Sequence, residues 1–325
     1  MVLVGTELAP VREESGALER ILLSYAQAFS RADSENEALV VDADGDLGHL
    51  RARLARLKPD LVVLSNRPLW AEATEAPVLH LLHNYPDAWA APDDERLRVA
   101  LRRGRLGAVS EALARHVTVR YGLSDEVRVL PVPVEDCFFS ARWDGGGGPV
   151  VFPNRILENK GVRFFLQLAK VLAGGGTRCV AFRHLAPFPR PTAEQKELLA
   201  LFDATPAVEL RPPPPTRASL AHSYARASAV VCPSVAPEGL GLVALEAQAV
   251  GAPLVTSGLG GLAEVTFPPN EVVSSFDTGD WLAALGRAWG RGLDTSARDA
   301  VLHRHGRPAP EQAFCRLAGE AALLV

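Results

Sequence analysis

Short apolar runs alternate with amphipathic stretches along almost the whole chain, and this alternation limits the possible folds more than any other feature. The stretches between the runs repeat apolar residues every three or four positions, as Leu18, Leu22 and Tyr25 do, which is typical of a helix with one buried face. Strands that alternate with helices predict β-α-β units and therefore parallel sheets. The runs predicted as strands are 1–5, 38–41, 61–65, 78–82, 106–109, 127–130, 150–153, 178–182, 207–210, 229–232 and 254–257.

A run of four glycines, residues 145–148, lies between Asp144 and Pro149 and separates two such series. Neither a helix nor a central strand continues through four glycines and a proline, so the run predicts a domain boundary. The 325 residues also suit two domains of about 150 residues each. We therefore predict an α/β protein of two doubly wound, Rossmann-like parallel-sheet domains that face each other across a cleft. The first covers residues 1–145 and the second residues 149–308.

The composition excludes several other classes of protein. Hydrophobic residues make up 48% and charged residues 22% of the chain, which is the range of a folded domain and not of a disordered or collagen-like one. The net charge of −4 argues against a dedicated nucleic-acid binder, because such proteins usually carry a basic excess. No apolar run approaches the roughly 18 residues of a membrane span. We expect no nucleic-acid partner and no transmembrane segment, and we interpret the N-terminus as a first strand and not as a signal peptide.

The four cysteines lie far apart, at Cys137, Cys179, Cys232 and Cys315. Because none forms a C-x-x-C pair or has a histidine at ligand spacing, they predict neither a zinc site nor a disulfide framework. We expect reduced thiols in a cytoplasmic protein. Only four of the 34 basic residues are lysines, a bias that is typical of a GC-rich bacterial genome.

The most informative stretch is residues 233–249, where a predicted buried strand is followed by a loop of prolines and glycines and then by a helix that begins near Gly241. A helix N-terminus reached through glycines offers free backbone N–H groups and a positive dipole end, which suit a diphosphate. Glu238 lies in the loop and Glu246 lies inside the helix, too far away to share one proton with it. Alone, such a pair is more often a capping glutamate and a solvated one; here it suits two separate sets of hydroxyls on a sugar-rich ligand.

These residues, together with the glycines at 258–261, resemble the retaining family 4 glycosyltransferases of GT-B architecture, whose Glu-x7-Glu motif matches Glu238 and Glu246. Residues 151–161 resemble the same family's strand, arginine and Lys-Gly helix opening, with Arg155 and Lys160 at the matching places. The resemblance covers nearly the whole chain and is strongest over residues 150–265. It implies the GT-B fold.

Three segments outside this region extend the resemblance. Residues 77–87 resemble the family's strand that ends in a histidine at the cleft, which is His83; His80 falls inside the apolar run and is interpreted as a core residue. Residues 14–16 resemble the glycine loop that approaches the donor phosphates, with Gly16 as the glycine. Residues 309–325 resemble the terminal helix that returns to the first domain, and we expect it to pack there.

The resemblance implies a retaining glycosyltransferase that moves a sugar from a nucleoside diphosphate sugar to a small-molecule acceptor, in natural-product or cell-surface glycan biosynthesis. Its implied catalytic residues are Arg155, Lys160, Glu238 and His83. Its implied donor-binding residues are Gly16, Leu240, Gly241, Leu242, Val243 and Glu246.

Each implied residue has a role. Arg155 and Lys160 would hold the leaving diphosphate together with the helix N-terminus, and two cations with a helix end can do so without a metal ion. Glu238 would hold sugar hydroxyls, Glu246 the ribose hydroxyls, and His83 the sugar from the first domain. We therefore expect no cofactor and no metal.

Other interpretations stay open at this point. Asp42, Asp44 and Asp46 could form a metal-binding D-x-D clamp, but the calcium-loop pattern fails, and a polar strand end explains them equally simply. A catalytically silent sugar-nucleotide binder and a nucleotide-sugar 2-epimerase are alternative functions, although an epimerase needs further acid and base groups. Asn154 stands where the family more often has glycine, so the sequence predicts neither the base nor the sugar of the donor.

Overall fold

A computed structural model describes residues 1–4, 17–41, 46–89, 93–123, 127–185, 190–292 and 294–323. The chain divides into two compact units, one formed by Met1–Pro133 with Arg307–Val325 and the other by Val134–Gly306. In the part of the chain that is described, each unit contains one six-stranded sheet whose strand pairs are all parallel. The prediction of two doubly wound parallel sheets is confirmed.

The elements are as follows. The strands are β1 (Val2–Val4), β2 (Leu39–Val41), β3 (Val62–Ser65), β4 (Val78–Leu82), β5 (Gly104–Ala108), β6 (Arg128–Val129), β7 (Val150–Phe152), β8 (Cys179–Phe182), β9 (Val208–Arg211), β10 (Ala229–Cys232), β11 (Leu254–Thr256) and β12 (Glu271–Val272). The helices are α1 (Ala17–Ala32), α2 (Leu47–Leu57), α3 (Asp94–Leu101), α4 (Glu111–Tyr121), α5 (Asp136–Ser140), α6 (Val162–Gly174), α7 (Ala193–Asp203), α8 (Arg217–Ala225), α9 (Leu242–Val250), α10 (Gly261–Glu264), α11 (Thr278–Trp289), α12 (Ser296–His305) and α13 (Pro308–Ala322).

The sheet of the first unit has the order β2-β1-β3-β4-β5-β6. Its central strands β3 and β4 are buried along their whole length. Helices that cover both faces of a parallel sheet leave no polar side on such a strand, which is why both segments appear in the sequence as continuous apolar runs. Because β3 and β4 are neighbours, the residues that follow them emerge at the same edge of the sheet.

The last helix, α13, packs on α1 and belongs to the first unit. Tyr25 stacks on Phe314 with ring centroids 4.4 Å apart. Glu311 accepts a hydrogen bond from Ser24 Oγ at 2.9 Å and forms an ion pair with Arg31 at 2.9 Å. Residues close to the two ends of the sequence thus share one hydrophobic core.

The glycine run at 145–148 lies within the second unit and not at its border. Trp143 Nε1 donates to Ala227 O at 2.8 Å, and the backbone N–H of Asp144 donates to Ala225 O at 3.0 Å. These bonds attach the segment to the end of α8, so the first unit stops earlier in the chain, at Pro133. The glycine-rich composition predicted a domain boundary here, but it gave no sign of which unit the segment contacts.

The sheet of the second unit has the order β12-β11-β10-β7-β8-β9. Strand β10 pairs with β7 on one side and with β11 on the other, so the loops that follow these three strands meet at one edge of the sheet. The outermost strand, β12, is a two-residue strand that the sequence did not predict, because two residues carry no periodic pattern. Among the described residues, no helix has both the length and the apolar character that a bilayer crossing needs.

Candidate functional site

Two loops of the second unit cross in close contact at the carboxyl edge of the sheet. Gly161 adopts a left-handed φ of 76°, and a Cβ atom at this position would overlap the backbone oxygen of Pro233. Next to this crossing, the N–H of Val235 donates to Asn159 O at 3.0 Å. The loop after β7 therefore touches the loop after β10, and only glycine permits this approach at position 161.

The crossing brings Lys160 against Glu238. The ammonium nitrogen of Lys160 lies 2.6 Å from both carboxylate oxygens of Glu238, and the two side chains are only 15% and 16% exposed. Ser234 Oγ donates to the same carboxylate at 2.5 Å, and the carbonyl of Ser234 accepts from Ser257 Oγ at 2.7 Å. A short, charge-assisted contact with little solvent around it is screened weakly by salt. The structure thus joins two residues to which the sequence gave separate roles.

The loop after β11 supports Glu238 from behind. The N–H of Glu238 donates to Leu259 O at 3.1 Å, and its carbonyl accepts from the N–H of Gly261 at 2.8 Å. A Cβ atom at Gly261 would overlap the backbone oxygen of Gly239. The glycines at 258–261 therefore serve to bring two loops together, and the backbone on which Glu238 lies is fixed on both sides.

Helix α9 begins directly after this loop. Gly241 occupies the N-cap position with a φ of 109°, and no side chain caps the helix. The carbonyl of Gly241 accepts from Ala244 N at 3.0 Å, whereas the first N–H groups of a helix, here those of Leu242 and Val243, have no acceptor within it. Leu240 is buried and precedes this turn. Residues 240–243 thus form a helix start that can donate hydrogen bonds to an anion.

Glu246 lies further along α9 and has a separate set of partners. Its carboxylate is buried, accepts from the guanidinium of Arg217, and lies 3.5 Å from the hydroxyl of Tyr224. Arg217 also donates through Nε to Glu135 at 2.9 Å and lies over the ring of Phe138, 4.7 Å from its centroid. Glu238 and Glu246 therefore belong to different charge networks.

Arg217 is a residue of this site that sequence reasoning missed. Burial acts to lower the pKa of Arg217, but the charges of Glu246 and Glu135 outweigh this effect and raise it. Burial, with the charge of Glu246 adding to it, also raises the pKa of Tyr224. Arg217 and Tyr224 therefore stay protonated at neutral pH, and both can donate hydrogen bonds to Glu246. Within the sequence, only the position of Arg217 at the start of a predicted helix could have drawn attention to it.

Arg155 is not joined to the Lys160–Glu238 pair. Its side chain is exposed and forms no hydrogen bond or ion pair within the described ranges; its carbonyl accepts from the N–H of Leu157 at 3.0 Å. The preceding residue, Asn154, is buried beside Cys232. Burial raises the pKa of the Cys232 thiol to about 12, so this cysteine is a protonated core residue and not a nucleophile.

His83 lies in the first unit, at the carboxyl end of β4. Its backbone N–H donates to Asn66 Oδ1 at 2.7 Å, and the N–H of Asn84 donates to the same oxygen at 3.2 Å. The ring is buried, and its Nε2 atom has no hydrogen-bond partner among the described residues. Burial lowers the pKa of His83 to about 4, so the ring is neutral at pH 7. His80, by contrast, contacts Ala100 O through Nε2 at 3.1 Å inside the sheet, as a core histidine should.

The glycine loop at Gly16 lies outside the described residues, and the D-x-D motif lies partly outside them. Within that motif, Asp42 and Asp44 lie outside the described residues. Asp46 caps α2, where its carboxylate accepts from Gly48 N at 2.6 Å and from His49 N at 3.2 Å, and these bonds lower its pKa. Within the described ranges, no group of three or more histidine, cysteine or acidic side chains is arranged to hold a metal ion.

Comparisons with known sequences find their similarities mainly in the second unit. Residues 148–289 match the family model described as glycosyl transferases group 1. The D-inositol 3-phosphate glycosyltransferase of Mycobacteroides abscessus is 34% identical over 159 residues, which are 48% of this chain and 35% of that protein. The enzyme of the same name from Mycobacterium sp. (strain KMS) is 39% identical over 93 residues, which are 28% of this chain and 21% of that protein. The chain thus covers about a third or less of these curated relatives.

Solved structures match the chain over almost its whole length. The HepE protein of Anabaena, in complex with UDP and glucose, has a TM-score of 0.74 at 16% identity and covers 99% of both chains. A sucrose-phosphate synthase from Thermosynechococcus elongatus has a TM-score of 0.75 at 18% identity and covers 98% of both chains. At such low identity, these matches are similarities of fold.

The crossing of the two loops gives a first prediction. Gly161→Ala adds a methyl group where backbone oxygen already lies, at a left-handed φ that costs an L-residue about 1–2 kcal/mol. We expect it to lower the free energy of unfolding in urea by more than 2 kcal/mol, roughly the sum of strain and displacement. Gly174→Ala at the exposed end of α6, where no atom lies within 4 Å, is the control and should not destabilise. Equal stability of the two variants would contradict the close crossing.

The buried ring of His83 gives a second prediction, on pH. Its pKa is about 4 in the folded chain and 6.5 for an ordinary histidine, so below pH 6.5 the unfolded state takes up the proton first and stability falls as pH falls toward 4. Between pH 7 and pH 5, His83 alone should remove about 2 kcal/mol of stability. His83→Gln should lose that part of the pH dependence in urea unfolding, and the exposed His49→Gln should keep it. An unchanged pH dependence in His83→Gln would mean that the ring is hydrated.

Proposed function

We propose that this chain transfers a sugar from a nucleoside diphosphate sugar to a small-molecule acceptor with retention of configuration. The match of residues 148–289 to the model of glycosyl transferases group 1 and the GT-B fold of the chain support this proposal. The observation that carries the proposal is the Lys160–Glu238 pair next to the uncapped start of α9. A cation, a carboxylate and free N–H groups at one sheet edge match the diphosphate and the sugar hydroxyls of such a donor.

The diphosphate is the part of the donor that this edge binds most strongly. When the bond between the anomeric carbon and the phosphate oxygen breaks, negative charge grows on the departing diphosphate, and fixed donors aimed at that charge lower the barrier. Lys160 supplies one positive charge, and the N–H groups of Leu242 and Val243 supply the dipole end of α9. Arg155 is exposed at the same edge and adds a second charge, without the need for a metal ion.

The ion pair between Lys160 and Glu238 must open before Lys160 can bind the diphosphate. In the unliganded chain, Lys160 donates to both oxygens of Glu238, so a bound diphosphate competes with that carboxylate for the ammonium group. The diphosphate of the donor carries two negative charges and the carboxylate of Glu238 only one, so the diphosphate is the stronger partner for a compact cation. Glu238 then has acceptor positions free for sugar hydroxyls, while Ser234 and the backbone bonds of its loop hold it in place.

Glu246 acts on the other end of the donor, at the ribose. Its buried carboxylate accepts from Arg217 and lies next to the hydroxyl of Tyr224, and a carboxylate can accept hydrogen bonds from two neighbouring hydroxyls. His83 is proposed to bind a sugar hydroxyl through its neutral ring, whose Nε2 atom has no partner among the described residues. UDP is the first nucleotide to try, because HepE was solved with UDP and with UDP-glucose.

The proposal is tested by incubating the chain with a panel of nucleoside diphosphate sugars and acceptors and by determining product mass and anomeric configuration. We expect transfer with retention, and no loss of rate in EDTA. Lys160→Ala should lower turnover by about 10²-fold, on the order of 3 kcal/mol of transition-state stabilisation. Lys170→Ala, which removes an exposed lysine from α6, is the matched control.

Three results would contradict the proposal. Donor binding without transfer to any acceptor would indicate a sugar-nucleotide binder. A change of configuration at C2 of the donor sugar would indicate an epimerase. Full activity of Lys160→Ala would mean that this lysine does not bind the leaving group.

A further inference from the structure

Arg67, at the carboxyl edge of the first sheet, is a half-buried cation with no counter-ion in the described chain. It follows β3 by two residues, and the one contact described for its side chain is with the ring of Trp70, 5.1 Å from the guanidinium carbon to the ring centroid. Burial lowers the pKa of Arg67, and no carboxylate of the described residues acts to raise it. The guanidinium stays charged all the same, because its ordinary pKa is far above 7.

Four other arginines of the first unit form ion pairs with carboxylates. They are more exposed and have acidic partners within reach; these pairs are Arg31–Glu311, Arg96–Glu72, Arg98–Glu95 and Arg120–Asp94. A partly desolvated charge without a partner costs stability, whereas an exposed one costs almost nothing. Arg67 is therefore a partly buried arginine without an acidic partner among the described residues, and it lies at the sheet edge, which is the place where parallel sheets bind ligands.

Two buried polar atoms without partners lie at the ends of the same pair of strands. They are Ser65 Oγ, in the last residue of β3, and His83 Nε2, directly after β4. Asn66 ties the two loops together, because its N–H donates to Leu81 O at 3.0 Å and its Oδ1 accepts from His83 N and Asn84 N. Arg67 is the next residue after this connection. This edge of the sheet therefore contains a guanidinium group and two polar atoms without hydrogen-bond partners among the described residues.

We propose that this edge, with Arg67 as its anchor, binds an anionic oxygen group, a phosphate monoester or a carboxylate, on the acceptor of the sugar. The planar guanidinium fits the two oxygens of such a group with paired hydrogen bonds, and Trp70 covers one of its faces so that its edge is left for the ligand. The hydroxyl of Ser65 suits an uncharged hydroxyl next to that group. This inference rests on the proposed function only in naming the ligand as an acceptor.

Binding measurements test the site without any need for sugar transfer. Calorimetry in the presence of saturating UDP, with glucose, glucose 6-phosphate and glucuronate as probes, should show at least tenfold tighter binding of the two anionic probes, about 1.4 kcal/mol. Arg67→Met should abolish this preference, and Arg67→Lys should retain part of it. Arg96→Met, which removes an arginine paired with Glu72 in the same unit, is the control and should bind as the unchanged chain does.

A measurement on the unchanged chain covers the case in which Arg67→Met fails to fold. Glucose 6-phosphate should slow the modification of Arg67 by phenylglyoxal at least fivefold, as mapped by mass spectrometry, and glucose should not. Labelling of Arg67 that is equally fast with and without the phosphate would overturn the proposal, and so would equal affinity of wild type and Arg67→Met for the anionic probes.

The two proposals can fail separately. Lys160→Ala should lose affinity for UDP and keep the Arg67-dependent binding of glucose 6-phosphate. If UDP does not bind the unchanged chain at all, the proposed donor site fails, while the phenylglyoxal experiment still decides on Arg67.

Discussion

The candidate donor site depends on the close crossing of two loops, at Gly161 and Pro233. Only a residue without a side chain can lie against the Pro233 carbonyl at this φ, and the crossing places the ammonium of Lys160 on the carboxylate of Glu238. The rest of the site follows from it. The loop after β11 holds Glu238 from behind, and α9 begins as soon as the loop after β10 has passed the crossing. The geometry of the charged groups is thus fixed by backbone contacts and not by the charges themselves.

The fold could be predicted from the sequence because its signal is local. A buried strand such as β3 or β10 is a continuous apolar run bounded by turns. Such a run can be recognised in the sequence even when the strands that pair with it are unknown. Glu238, Lys160 and Gly241 could be found because they follow such strands and lie in the segments that resemble the motifs of family 4 glycosyltransferases. The edge strand β12 was missed, because it is too short to show a period.

Pairings over long sequence distances could not be predicted. The contact of Arg217 with both Glu135 and Glu246 joins three elements, and nothing in the residues around Arg217 names its partners. The same holds for Lys160 and Glu238, which the sequence assigned to different ligand groups and which the unliganded chain holds together. The resemblance predicted that Arg155 acts together with Lys160. Its side chain is instead exposed and has no partner in the described part of the chain.

The two sheet edges differ in how their charges are balanced. In the second unit, Lys160 pairs with Glu238, and Arg217 pairs with both Glu135 and Glu246, so an anionic ligand there has to replace a carboxylate. In the first unit, Arg67 has no acidic partner among the described residues, and His83 beside it is neutral. Ligand binding at that edge would add a missing charge. Under the two proposals, the ligand of the second unit displaces a carboxylate from Lys160, and the ligand of the first unit supplies the anion that Arg67 lacks.

If Glu238 and Glu246 bind different parts of one donor, calorimetry with UDP and UDP-glucose separates their effects. Because a hydrogen bond to a charged group contributes about 1.5–3 kcal/mol, Glu246→Ala should weaken both ligands by roughly 10- to 100-fold. Glu238→Ala should leave UDP binding unchanged or tighter and weaken UDP-glucose relative to UDP. The exposed Glu197→Ala of the same unit is the control. Equal losses of both ligands in both glutamate variants would contradict the account.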